Sequence, residues 1–136
     1  MGRLVAQAPD RVNLAQLADE AERDVLAADA NASAFGPWAD VMLYEAGLRS
    51  ARAIVQAAGY RIDTGAGAHV TAIDAADSLT GHVHHRVFVR LHRMRRRRND
   101  FMYETSADPT TQDLAQARAD VLGLIALARD AIERIT

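Results

Sequence analysis

The stretch PWADVMLYEAGLRSARAIVQAAG, Pro37 to Gly59, decides the fold. Val41, Tyr44, Leu48, Ala51, Val55 and Ala58 recur at three- and four-residue steps, a spacing that gathers them on one face of an α-helix. A half-buried strand would instead alternate apolar and polar residues. Pro37 suits a first helical turn, where its missing N–H costs nothing, and Gly59 can close the helix in the left-handed conformation. Trp38 and Tyr44 read as the core anchors of this helix.

The same spacing extends to both sides. Upstream, Leu14, Leu17, Ala21, Val25 and Ala28 define a helix over about 12–28 that Asp10 can cap, and the small-residue passage Asn31 to Gly36 separates it from the next. Downstream, Tyr60 to Gly67 reads as a loop, with Thr64 capping a third helix through Val70, Ile73 and Ala76. Gly65-Ala-Gly67 reads as a turn, since it lacks the preceding strand and following lysine of a phosphate-binding loop. Gly81 marks a break. A long helix from His82 to Glu104 follows, striped by Val87, Leu91, Met94 and Phe101. Asp108 and Pro109 supply a capping acid and a first-turn proline for a last helix striped by Leu114, Ala117, Val121, Leu124, Ala128 and Ile135. The expectation is an all-α, up-and-down bundle of four to five helices forming one domain over residues 1–136.

Composition agrees. Aromatics are 5% of the 136 residues, proline occurs three times, and 49% of the chain is hydrophobic, enough apolar surface to offset the entropy of ordering. The absence of cysteine excludes a disulfide framework, thiolate metal sites and a catalytic thiol, and points to a reducing cytoplasm. No apolar run reaches the length of a membrane span, and the first residues lack a signal-peptide pattern.

The net charge is −2, yet seven arginines lie between Arg86 and Arg98. Four residues beyond Met94 the apolar stripe reaches Arg98, which places a guanidinium beside the core and calls for a carboxylate, carbonyls or a bound phosphate to meet it. Arg93, Arg95, Arg96 and Arg97 surround it, and Asn99 and Tyr103 share a face. Two readings are open. The run is a solvated face paired with acids of the first and last helices, or it binds phosphate oxygens, as forked guanidinium groups do in RNA recognition. Without interleaved aromatics to stack bases, sequence-specific readout is not implied.

The segment Arg98-Asn99-Asp-Phe-Met-Tyr103 resembles the Arg-Asn-x-x-x-His signature of the HEPN superfamily, with tyrosine in the histidine position. The motif's place near the end of a long helix late in a small bundle also resembles that family, as does the close of the second helix in Ala-Gly59-Tyr60-Arg61 before a glycine-containing loop with His69. The resemblance implies a homodimer whose motif helices face each other across a cleft. It also implies a phosphate-bearing ligand, RNA foremost, and a metal-independent endoribonuclease activity in which Arg98 polarises the phosphate, Asn99 holds the local geometry and position 103 moves the proton. It further implies a toxin-like role beside a nucleotidyltransferase-like antitoxin. An unperturbed tyrosine, with a pKa of about 10, is a weaker base at neutral pH than histidine, so binding is the stronger expectation and catalysis the weaker. The alternative is a non-catalytic interaction module that docks a protein partner such as a cognate antitoxin.

His82, His84, His85 and His92 form a second cluster. His82 and His85 could hold a metal in a metal-dependent helical enzyme, or one of them could take the role of the family's histidine. With no carboxylate beside them in sequence at ligand spacing, they read as exposed imidazoles at a helix start, and no metal or cofactor is expected. His69 reads as a cap or a local packing residue. Asp19, Glu20, Asp74 and Asp77 read as exposed acids that balance the arginines.

Overall fold

The computed structural model describes residues 3–63, 65–102 and 108–135, with 101 and 102 described in backbone path alone. Five helices build it: α1 (Arg11–Asn31), α2 (Gly36–Ala57), α3 (Ala68–Leu79), α4 (His85–Met102) and α5 (Thr111–Glu133). This is the all-α bundle that the apolar periodicities predict. The helix α2 lies at its centre and packs against the other four. Its buried stripe includes Leu43, Tyr44, Leu48, Ala51 and Val55, whereas Val41 is half-buried. Among the described residues no helix is long and apolar enough to cross a membrane.

Local chemistry sets several boundaries. The Asp10 side chain accepts hydrogen bonds from the Val12 and Asn13 amides at 3.1 and 3.3 Å, satisfying two of the donors that the start of α1 leaves over. Pro37 sits in the first turn of α2, and Gly59 follows its end with φ of +97°. The Arg11 guanidinium donates to the carbonyls of Glu133 and Ile135 at 3.0 and 2.6 Å, tying the start of α1 to the end of α5. Ion pairs lace the same two helices together, Arg129 to Asp19 and Glu22 and Arg118 to Asp29, and Arg49 of α2 pairs with Glu20 and Asp24 of α1.

Other boundaries differ from expectation. The segment after Gly59 is not all loop: Leu4–Ala6 (β1) and Tyr60–Ile62 (β2) pair antiparallel, Val5 opposite Arg61. Three residues a side are too few to show a period in sequence, and the pairing joins positions more than fifty residues apart. The N-cap of α3 is Gly67, at φ +80°, and Thr64 lies outside the described residues. The helix α4 starts at His85 rather than His82, because Gly81 and His82 both have positive φ, +71° and +60°. Its core stripe is Phe88, Leu91 and Met94, one residue along from the Val87 reading; the Phe101 side chain lies outside the described residues. Thr110, not Asp108, caps α5. Its hydroxyl accepts from the Asp113 amide at 3.0 Å while the Asp113 carboxylate accepts from the Thr110 amide at 2.9 Å, a reciprocal pair in which an acid stands three residues after the cap, whereas the residue three after Asp108 is Thr111. Ile132 is buried in α5 where Ile135 was expected.

Trp38 is 47% exposed and so is not a core anchor, whereas Tyr44 is fully buried. Gly47 permits the closest approach of α2 to α4: a Cβ there would lie 2.6 Å from a Leu91 methyl carbon.

Candidate anion site on the fourth helix

Successive residues of a helix point about 100° apart, so the run Arg93 to Arg98 is divided among several faces of α4. The side toward α2 and α5 is saturated. Arg97 makes two bonds to Asp40, Nε and Nη2 each 2.9 Å from a carboxylate oxygen, and Asp40 is buried. Two turns earlier Arg90 grips the buried Asp120 in the same way, at 2.6 and 2.9 Å. The hydrogen bonds they donate to these carboxylates hold both guanidinium groups firmly in the charged form. Between the two pairs lies a cleft of about 140 Å³ to which Arg93 and Asp113 also contribute; acids balance its cations.

The side facing α2 and the start of α3 is different. Arg98 meets Glu45 at 3.7 Å, too long for a hydrogen bond. Its Nε, and that of Arg95 three residues earlier, are buried with no hydrogen-bond acceptor among the described residues. Burying an N–H of a cation without an acceptor is costly, and with 32% of its side chain exposed Arg98 keeps the rest of its guanidinium open to an anion from outside. The carboxylate that the position of Arg98 calls for is thus present, but it leaves part of the guanidinium unmet.

Behind these arginines lies a polar pair that the sequence reading treats as packing. The Tyr44 hydroxyl lies 3.1 Å from His69 Nδ1. Burial pushes the Tyr44 pKa up to about 12, an effect Glu45 adds to and Arg95, Arg98 and Arg52 oppose, so the phenol keeps its proton. Burial also lowers the His69 pKa; Arg52, Arg98 and Arg95 lower it further, against an opposing pull from Glu45. His69 is therefore neutral at pH 7. The tautomer sets the roles: Nδ1–H donating to the Tyr44 oxygen leaves Nε2 as a base, whereas the Tyr44 O–H donating to Nδ1 leaves the hydrogen on Nε2. Three guanidinium groups, one carboxylate and a neutral imidazole thus share one neighbourhood, drawn from α2, α3 and α4.

The remaining site residues are distributed as follows. Arg93 and Arg96 are exposed, and Asn99 is half-buried beside Arg98. Tyr103 lies outside the described residues. Sequence reasoning missed Tyr44, His69 and Arg52 as site residues. The available signal was chemical: a tyrosine on a fully apolar stripe needs a partner for its hydroxyl. It also took Asp77 for an exposed acid, whereas Asp77 is buried beside His82 and His85, so a carboxylate does stand next to these histidines, supplied by α3. Asp19 and Glu20 pair with arginines as expected, and Asp74 pairs with His92.

No protein-family model matches the chain, and neither a curated protein nor a solved structure does. The HEPN resemblance therefore rests on the Arg98–Tyr103 motif and its place in the bundle.

Proposed function

We propose that the chain binds the phosphodiester backbone of RNA through Arg95 and Arg98, with Arg52 adding to the local potential. The observation that carries this reading is that, among the described residues, no carboxylate lies within hydrogen-bond distance of Arg98, whose side chain stays 32% exposed, because phosphate oxygens meet forked guanidinium donors two at a time. The HEPN-like motif supports it independently, since Arg98 and Asn99 are its first two members. On this reading Arg93 and Arg96, exposed on other faces of α4, contribute long-range attraction, and Arg97 contributes stability through Asp40.

The reading extends to metal-independent cleavage. His69 Nε2 would take the proton from a ribose 2′-OH, the 2′ oxygen would attack the adjacent phosphorus, and the arginines would stabilise the charge that builds on the phosphate. The bond to the 5′ oxygen then breaks, leaving a 2′,3′-cyclic phosphate and a 5′-hydroxyl that receives a proton from His69 or from the family's position, Tyr103. A homodimer that brings two motif helices together, and a nucleotidyltransferase-like antitoxin, belong to the same proposal through the resemblance.

The test is binding and cleavage of total cellular RNA without added metal, at two salt concentrations, by the wild type, Arg98→Ala, His69→Ala and Tyr103→Phe. The reading expects binding that weakens steeply with salt and is lowered by Arg98→Ala. Cleavage abolished by His69→Ala alone assigns the proton transfer to His69, and cleavage abolished by Tyr103→Phe alone assigns it to the motif. Absence of binding at low salt overturns the reading. It would favour a docking module for a protein partner, which Phe35 and Trp38 support by being 43% and 47% exposed, since aromatic side chains are enriched where proteins meet.

A further inference from the structure

We propose a divalent transition-metal site, of a kind that takes Zn²⁺, at the turn between α3 and α4, with Asp77, His82 and His85 as ligands. One ligand atom from each of the three lies within 4.8 Å of the others. The proposal is independent of the RNA reading, and it rests on how the turn is built and on what Asp77 lacks.

The turn is a Schellman motif, the closure in which two amides beyond a helix end bond back to its last-turn carbonyls. The Gly81 amide donates to the Ser78 carbonyl and the His82 amide to the Asp77 carbonyl, both at 3.0 Å. Glycine takes the left-handed conformation this requires without penalty. His82 takes it as well, at φ +60°, which is uncommon for a residue with a side chain and clusters at functional sites. The result brings the His82 imidazole over the last turn of α3 while α4 begins with His85 on the other side.

Asp77 is the group they converge on. It is 6% exposed, and its carboxylate forms no ion pair with an arginine among the described residues. Oδ2 lies 2.6 Å from His85 Nδ1. Oδ1 lies 3.3 Å from His82 Nδ1 and, among the described residues, is a buried carboxylate oxygen that accepts no hydrogen bond. A buried oxygen of this kind calls for a cation. A metal seated among the three ligands supplies it: bonds of about 2.0–2.1 Å put tetrahedral ligand atoms roughly 3.4 Å apart, so the exposed imidazoles need only small movements from their present places within 4.8 Å of one another to close on the ion. Two imidazoles and one carboxylate favour a borderline ion such as Zn²⁺ over Mg²⁺ or Ca²⁺, which prefer all-oxygen shells. Three protein ligands leave a fourth position for water, on the side where His82 and His85 are exposed to solvent.

The same two helices carry an internal control. One turn back along α3, Asp74 lies 2.7 Å from His92 Nε2, but Asp74 is exposed and no second imidazole joins the pair. A simple imidazole–carboxylate clamp between α3 and α4 needs no more than this.

The experiment is calorimetric titration of the full chain, free of any histidine tag, with Zn²⁺ alone, repeated with Co²⁺ to read the ligand-field absorption of the bound ion. The proposal expects one ion per chain, a rise in melting temperature on adding Zn²⁺, and affinity lowered roughly tenfold or more by His82→Ala and by His85→Ala. Both residues are exposed, so these variants should fold. His84→Ala and His92→Ala should leave the affinity unchanged. No binding by the wild type, binding that survives His82→Ala and His85→Ala, or an equal loss in His92→Ala overturns the proposal and leaves a hydrogen-bonded turn.

Discussion

Arg97 and Arg98 are neighbours in sequence and carry the same charge, yet they meet opposite surroundings. Arg97 turns toward α2, where Asp40 accepts two hydrogen bonds at 2.9 Å. Arg98, on another face, has a carboxylate at 3.7 Å and a buried Nε without an acceptor among the described residues. A run of arginines on a helix is therefore not one surface. The members whose partners lie inside the fold act as struts, and the members left short of acceptors are those available to a ligand.

The largest predicted effect tests the strut side. Arg97→Met leaves the Asp40 carboxylate buried and unpaired, and removing one partner of a buried pair costs about 3 kcal/mol, at the low end of the usual range because the arginine is partly exposed. Chemical denaturation should show that loss, and a change well below 1 kcal/mol would mean that Arg97 is no more committed to the fold than Arg98.

Next in size is Gly47→Ala. The added methyl must displace Leu91, its Cβ being placed 2.6 Å from a Leu91 methyl carbon, and overpacking costs about 1–3 kcal/mol, offset in part by alanine's better helix propensity. Because Leu91 seats α4 between its two arginine faces, the substitution should lower the melting temperature and weaken RNA binding together. A stable variant with normal binding would show that α4 is free to shift without consequence.

Arg98→Ala should reverse the Arg97→Met pattern. Its effect on stability is expected below about 1 kcal/mol, the range of a loose ion pair, while the salt dependence of RNA affinity should lose roughly one phosphate contact from its slope. The smallest effect is a titration. Burial, and Arg52 after it, holds the His69 pKa below the ordinary imidazole value, so an NMR titration should place its midpoint below about 6.5. Arg52→Ala should move that midpoint upward. The linked stability has a definite sign: with a lowered folded-state pKa, His69 binds protons more readily in the unfolded chain, so its contribution falls as pH drops below about 6.5. A midpoint at or above the ordinary value would remove His69 as a neutral base.

Much of the bundle was legible because its causes are local. Asp10, Pro37 and Gly59 mark helix ends by their own chemistry, and the stripe of α2 states its buried face outright. What was not legible depends on distant partners. Leu4–Ala6 becomes a strand through pairing with Tyr60–Ile62, and neither segment is long enough to show it alone. Asp77 reads as a solvent-facing acid until the turn and the start of α4 supply the histidines it meets, and Asp40 has no sequence neighbour that announces its arginine on α4. The position of Arg98 beside the core could be read by extending the stripe of α4, even though that stripe is centred on Phe88 rather than Val87. Tyr44 and His69 could not be joined from sequence, since a hydroxyl on α2 and an imidazole at the start of α3 have no shared spacing.

The most direct test of this division is fluorescence-anisotropy titration of a single-stranded RNA by the wild type, Arg95→Ala/Arg98→Ala and Arg97→Met. It should be run at low and moderate salt and at a temperature where circular dichroism shows all three folded. The account predicts that the double variant loses most of its affinity and of its salt slope, while Arg97→Met binds as the wild type does. Equal losses in the two variants, or none in either, would contradict it.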